Sequence, residues 1–194
     1  MGAQRDTPFQ LRPAREADMP SVAAILSHYI ENTVVNLAYT APSEEEIVLK
    51  WKSVQSESLP YIVATDVDDR IVGYSYATGF RAPREGYGHT VEMSLFCHPK
   101  YTTKGIGTQL LKTLISVLSA PEDFPDYVPH PRSADKKVRM VIACMSVDDS
   151  SWKSGLGLKE YYERFGFEQV GRMNKVGHKF GRWIDTIYLQ LALW

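Results

Sequence analysis

The sequence predicts an α/β fold built on one mixed sheet, and three observations carry that prediction. Short stretches alternate apolar and polar residues, as half-buried strands do. Between them lie segments whose apolar residues recur at three- and four-residue spacing, as on one face of a helix. One strand-like stretch, residues 91–97, leads through a glycine-bearing loop into a helix-like one, residues 106–119. Such a unit joins parallel neighbours in a sheet.

The elements follow in order. Residues 9–13 read as a short edge strand. Asp18 can cap the next helix, with Pro20 tolerated in its first turn. Met19, Val22, Ala23, Leu26, Tyr29 and Ile30 form that helix's buried stripe. Residues 32–42 are a loop. Ser43 and Glu46 make a capping box for a second helix with Ile47, Trp51 and Val54 on its apolar face, and the acids at 44–46 suit the positive end of a helix. Residues 61–65 and 71–80 are strands joined by a turn at 66–70, a hairpin. Residues 80–89 are a loop carrying Arg81, Arg84 and Tyr87. In 91–97, Val91, Met93, Leu95 and Cys97 share one face, and Glu92, Ser94 and Phe96 the other. His98-Pro99 ends this strand, because proline has no N–H to give to a ladder. In the helix that follows, Ile106, Leu110, Leu114 and Leu118 make the seam, flanked by Leu111 and Ile115.

Residues 120–137 contain Pro121, Pro125, Pro129 and Pro131 and show no periodicity. An interruption this long is either functional or poorly ordered. Residues 138–145 form a continuous apolar strand of the kind buried on both faces. A short helix at 159–165 precedes the last strands, 167–173 and 184–193, with Gly177 and Gly181 marking their connection. The order is β-α-α-β-β-β-α-β-α-β-β. Residues 1–8 read as a polar tail and 9–194 as one domain with an insert at about 120–137.

The 194 residues are 44% hydrophobic and 23% charged, with a formal net charge of −1. That balance gives no electrostatic reason to expect nucleic acid or an anionic membrane as partner. No apolar run is long enough to span a bilayer, and the first eight residues show no secretory core. Cys97 and Cys144 lie in apolar strand-like runs and read as buried, reduced thiols. The expectation is a soluble cytoplasmic protein. His28, His89, His98 and His130 show no metal-ligand spacing, so no metal is expected.

Chemistry gathers near the central unit. The first turn of a helix carries unpaired N–H groups and roughly half a positive charge. Gly105 and Gly107 would let an anion approach it, as a phosphate cradle, although a plain loop-to-helix turn fits equally. The third glycine of a dinucleotide fingerprint is missing, and no nucleotide-triphosphate loop occurs. Glu92 is either a base in an apolar setting or a solvated strand glutamate. Arg81 and Arg84 offer guanidinium forks suited to a carboxylate, or make surface ion pairs.

Several segments taken together carry a resemblance. They are the strand–Gly-x-Gly–helix unit, the stretch Tyr161-Tyr162-Glu163-Arg164-Phe165-Gly166-Phe167, Leu11-Arg12-Pro13-Ala14, Thr33-Val34-Val35-Asn36, Phe80-Arg81, Thr90-Val91-Glu92 and the run 177–185. With the element order, these resemble the GCN5-related N-acetyltransferase (GNAT) superfamily, and within it the phosphinothricin and L-amino-acid N-acetyltransferase branch. The resemblance implies a GNAT-like fold and an acetyl-CoA-dependent enzyme. Its acceptor would be a small amino acid or analogue such as methionine sulfone, methionine sulfoximine or phosphinothricin. It implies Glu92 as base and Tyr162 as acid. Leu95 and Phe96 would hold the pantetheine and acetyl carbonyl, and Thr102, Thr103, Lys104, Gly105, Ile106, Gly107 and Thr108 the pyrophosphate. Phe80, Arg81, Arg84, Tyr87 and Lys179 would lie near the amine, in a homodimer. Thr102 stands where the family has arginine or glutamine, and Gly155 where it has an asparagine contacting the cofactor. A different acceptor amine, or a non-catalytic acyl-CoA-binding regulator, are the alternative readings.

Overall fold

The computed structural model describes residues 9–102 and 104–194, so the expected tail and Thr103 lie outside the described residues. The strands are β1 (Gln10–Pro13), β2 (Tyr61–Thr65), β3 (Ile71–Gly79), β4 (Thr90–Cys97), β5 (Met140–Val147), β6 (Glu168–Lys179) and β7 (Arg182–Ala192). The helices are α1 (Met19–Asn32), α2 (Glu44–Ser56), α3 (Ile106–Ser119) and α4 (Gly157–Glu163), which reproduces the order read from the sequence. The strands form one seven-stranded mixed sheet in the order β1-β2-β3-β4-β5-β7-β6. Only β4 and β5 run parallel, the pairing that the strand–loop–helix unit predicts.

Two local devices match their sequence signatures. The Glu46 N–H donates to Ser43 Oγ at 3.2 Å, and the Ser43 N–H donates to Glu46 Oε2 at 2.7 Å. The α3 seam is buried throughout. Gly73 of β3 lets that helix lie close, since a Cβ there would stand 3.1 Å from Ile106 and Leu110 side-chain carbons. Gly73 pairs with Cys97, so the odd-numbered residues of β4 face α3. Phe96 packs against Tyr29 of α1, ring centroids 5.2 Å apart. The sheet thus lies between α1 and α2 on one face and α3 and α4 on the other.

Other expectations need correction. Asp18 stands at the start of α1 without capping it. Its carboxylate instead accepts from the Arg15 N–H at 2.7 Å and from both Arg12 terminal nitrogens at 2.6 and 2.8 Å. In α1, Ile25 is buried while Leu26 and Tyr29 are only half-buried. Tyr29 lies beside an opening in the sheet, where its hydroxyl donates to Cys97 O at 2.7 Å. The last two strands reach further toward each other than the glycines suggested. β6 continues past Met173 through an irregularity before Gly177 and turns at Phe180-Gly181. The irregularity is held by Asp185, which accepts from the Lys175 N–H at 2.8 Å. Gly177 is inside a strand, and its missing side chain makes room for Leu37, whose Cδ1 would lie 2.4 Å from a Cβ.

The proline-rich segment is packed, not loose. Val128 is 2% exposed and belongs to the core, and Lys137 pairs with Glu122 at 2.5 Å. Among the described residues no helix is long and apolar enough to cross a membrane.

The feature that positions the site is a fork. β4 and β5 are paired only from Thr90 to Met93 and Met140 to Ala143. Beyond that, β4 stays with β3 to Cys97 and β5 stays with β7 to Val147. The two halves of the sheet therefore diverge. This overturns the expectation that β5 is buried on both faces: Cys144, just past the vertex, is exposed.

Candidate active site

The fork opens a crevice of about 430 Å³ lined by Glu92, Leu95 and Phe96 of β4, Cys144 and Ser146 of β5, and Tyr162 of α4. Strand geometry decides which backbone groups face it. The Phe80 N–H donates to Thr90 O at 3.0 Å and the His98 N–H donates to Val72 O at 2.9 Å. Backbone direction alternates along a strand, so the N–H groups of Glu92, Ser94 and Phe96 point to β3. Those of Leu95 and Cys97 point to the open edge. Leu95 is thus positioned as expected, whereas the Phe96 amide is engaged by β3 and only the rest of that residue meets the crevice.

Glu92 sits at the vertex, opposite Ile142 of β5. Its side chain lies on the α1–α2 face, half-buried, and makes no side-chain hydrogen bond among the described residues. Burial lifts its carboxyl above the usual glutamate range, with Lys50 acting weakly the other way. Tyr162 enters from the opposite face. Burial among aromatic neighbours pushes its phenol well above the ordinary value, so the hydroxyl keeps its proton at physiological pH. Its neighbour Tyr161 has a packing role, with its hydroxyl donating to Thr108 Oγ1 at 3.2 Å. Burial pushes the Cys97 thiol up to about 11. Although its surface opens to the crevice, the Cys144 thiol is raised by its partly desolvated setting and by the nearby Glu92. Neither sulfur is an activated nucleophile.

The loop before α3 lies outside the crevice lining. Gly105 adopts φ +80° with open space where a Cβ would be. Gly107 lies against Leu95 and Cys97, and its N–H favours the Cys97 sulfur. Ile106 is buried against the sheet. Thr102 is exposed. Lys104 holds its ammonium 4.7 Å from the Tyr101 ring centroid. None of Thr102, Lys104, Gly105, Ile106, Gly107 and Thr108 lines the crevice itself. Gly107 borders it through Leu95.

Phe80, Arg81, Arg84 and Tyr87 likewise lie outside the lining, on the loop between β3 and β4. Phe80 and Tyr87 pack edge to face at 5.5 Å, and the Arg81 guanidinium lies 5.4 Å from the Phe80 ring centroid. Burial, Cys144 and Glu92 raise the Tyr188 phenol of β7, while the charge of Arg81 acts the other way. Arg84 is exposed.

Lys179 is a correction. It is 1% exposed, and its ammonium donates to Ile30 O and, at 2.6 Å, to Asn36 O. It fastens the loop after α1, whose Val35, Asn36 and Leu37 form a wall of the crevice. It presents no charge to the crevice.

Sequence reasoning missed Cys144, Ser146, Tyr188 and Trp152. The first two lie in an apolar run that gives no sign of a fork. Gly155 also lines the crevice, at φ +82°, and a Cβ there would stand 2.7 Å from Asp148 O. The backbone geometry therefore requires glycine where the resemblance would have an asparagine.

Comparison with known proteins defines the class as an acetyltransferase. The model of the acetyltransferase (GNAT) family matches residues 23–124. A phosphinothricin N-acetyltransferase of Alcaligenes faecalis is 34% identical over 183 residues, covering 94% of this chain and 82% of its own. An L-methionine sulfoximine/L-methionine sulfone acetyltransferase of Pseudomonas aeruginosa is 30% identical over 94% of both chains. Among solved structures, a GNAT superfamily phosphinothricin acetyltransferase from Sinorhizobium meliloti, in complex with AcCoA, superposes with a TM-score of 0.78 at 30% identity. That match covers 95% of this chain and 88% of the other. The chain belongs to the GNAT acetyltransferase family.

The Lys179 geometry generates a prediction. Lys179→Met leaves two backbone carbonyls without their charged donor, which should cost about 1–3 kcal/mol. Urea denaturation should show a lower midpoint with an unchanged slope. An unchanged midpoint would show that the ammonium does not hold the loop.

Proposed function

We propose that the chain transfers the acetyl group of acetyl-CoA to the primary amine of a small amino acid or amino-acid analogue. The amine attacks the thioester directly in a ternary complex. The observation that carries this reading is that Glu92 and Tyr162 enter one crevice from opposite faces of a forked sheet. A base and an acid on either side of a slot suit a reaction in which the nucleophile enters from one face and the leaving group departs toward the other.

The residues present fit acetyl-CoA as co-substrate. The free Leu95 and Cys97 amides line an edge that lacks a strand, and the amide-bearing pantetheine has groups to pair with it. The N-terminus of α3, with Gly105 open to solvent, suits a pyrophosphate. In that loop Thr102, Thr103, Lys104, Gly105, Ile106, Gly107 and Thr108 would act chiefly through backbone N–H groups. Glu92 takes the proton of the substrate ammonium, directly or through water. The amine nitrogen bonds to the acetyl carbon to give a tetrahedral oxyanion, whose collapse breaks the carbon–sulfur bond; the Tyr162 hydroxyl gives its proton to the departing thiolate, and the excess proton left on the nitrogen returns to the tyrosinate, directly or through water. The Leu95 N–H is suited to the developing oxyanion.

Acceptor identity is inferred from the relatives and from charge. Relatives at 30% identity or above act on phosphinothricin and on methionine sulfoximine or sulfone by their names. Arg81, on the loop that leads into β4 and over the Phe80 ring, is the cation suited to the α-carboxylate of such compounds, with Arg84 and Tyr87 on the same loop.

We further infer a homodimer acting in the cytoplasm. Val170, Met173, Val176, Phe180 and Trp183 leave the β6–β7 hairpin with an exposed apolar surface, Trp183 at 64%. Such a surface suits a second copy of the chain. The free thiols suit a reducing compartment.

Thiol release measured with acetyl-CoA, the twenty amino acids, methionine sulfone, methionine sulfoximine and phosphinothricin tests the acceptor class. Turnover should be confined to compounds with an α-carboxylate, and decarboxylated analogues should fail. Turnover of polyamines alone would contradict it.

Glu92→Gln tests the base. The carboxylate must be ionised to accept a proton. Because burial raises its pKa, wild-type kcat should fall on acidification through a limb above the ordinary glutamate range. The variant should lose that limb and roughly 10²-fold in kcat, with Kd for coenzyme A nearly unchanged. Full activity across pH would remove Glu92 from the mechanism.

A further inference from the structure

The proline-rich segment between α3 and β5 carries a cation with a defined purpose. Arg132 Nε donates to Glu57 O at 2.8 Å and Nη1 donates to Gly88 O at 3.1 Å. Its Nη2 lies 3.9 Å from Glu57 Oε2, and its side chain is 18% exposed. The same Glu57 oxygen accepts the Gly79 N–H at 3.0 Å. Gly79 is the last residue of β3 and Gly88 lies two residues before β4. One guanidinium, through one carboxylate, therefore joins the two ends of the 80–89 loop. The segment adds another tie next door, a 2.8 Å hydrogen bond between His89 Nδ1 and Lys137 O. Within the loop, the backbone hydrogen bonds of Arg84 and Tyr87 are to Arg81 O and Arg84 O. Its aim thus depends on how its ends are held.

We propose that Arg132 is a positioning residue for the acyl acceptor, clamping the loop that carries Arg81 to the end of α2. The inference rests on the reading of that loop as the acceptor's carboxylate site. A planar guanidinium suits the task, because its fork engages two carbonyls at fixed angles and keeps its charge. The segment is rigid enough to serve as an anchor, since Val128 lies in the core four residues earlier. The segment's cations are engaged within the protein, Arg132 by Glu57 and Gly88 and Lys137 by Glu122. A small misplacement of a substrate-orienting group lowers the rate or affinity for that substrate alone.

The test combines amide hydrogen exchange with steady-state kinetics on Arg132→Gln and the milder Arg132→Lys, using acetyl-CoA and L-methionine sulfone. In Arg132→Gln the amides of residues 80–89 should exchange faster while Tm stays near that of the wild type. KM for the amine should rise roughly tenfold and KM for acetyl-CoA should stay within about twofold. Arg132→Lys should fall between the two. Unchanged exchange in 80–89 would overturn the clamp itself. Faster exchange with an unchanged amine KM would overturn the proposal differently, by showing that the clamped loop does not serve the acceptor. A rise in KM for both substrates, with a lowered Tm, would assign Arg132 to general stability.

Discussion

A parallel pair of strands that separates after four residues is the constraint on which the rest of this structure depends. Past Met93 and Ala143, β4 follows β3 and β5 follows β7, so each loses its neighbour on one side. Backbone N–H and C=O groups are seldom left without partners in a protein interior. An open edge in the middle of a sheet is therefore a demand for something else to pair with it. The helices flank the fork: α3 packs its seam against Gly73 of β3 and sets Gly107 beside Leu95 and Cys97 of β4, while Tyr162 of α4 lines the crevice.

The supports around the fork divide the work. A buried ammonium, Lys179, ties down the loop that forms one wall. A nearly buried guanidinium, Arg132, ties the ends of the loop that carries Arg81. In both cases a long cationic side chain donates to backbone carbonyls, which fixes chain position through charge-assisted hydrogen bonds and leaves no charge over for a ligand. The groups that remain chemically available are fewer: a carboxylate and a phenol that make no side-chain hydrogen bond among the described residues, and a row of strand amides. Two protonated thiols nearby add no competing nucleophile.

Much of this was legible from residue pattern because periodicity reports burial. The alternation in β4 gave the face of Glu92, and the four-residue seam gave α3 with its observed bounds. Ser43 and Glu46 announced a helix start through a local pair of hydrogen bonds that needs no tertiary information. What stayed illegible depended on distant partners. Cys144 reads as core because its strand is apolar, and nothing local reveals that its neighbour turns away. Lys179, placed near the amine by the resemblance, is a buried tie instead, because its acceptors lie 149 and 143 residues earlier in the chain. Gly177 reads as a turn, when it accommodates Leu37. Arg132 sits in a segment without periodicity, so its partners at 57 and 88 could not be found from spacing. The resemblance supplied Tyr162, which composition alone would have left as a packing residue beside Tyr161.

The central claim concerns two adjacent amides that face opposite ways, and amide exchange followed by NMR reads both at once. In the free protein the Phe96 N–H, bonded within β3–β4, should exchange slowly and the Leu95 N–H should exchange quickly. Saturating coenzyme A should slow Leu95 and leave Phe96 as it was. A Leu95 amide already protected without ligand, or one indifferent to coenzyme A, would contradict the account of the fork as the acyl-donor site.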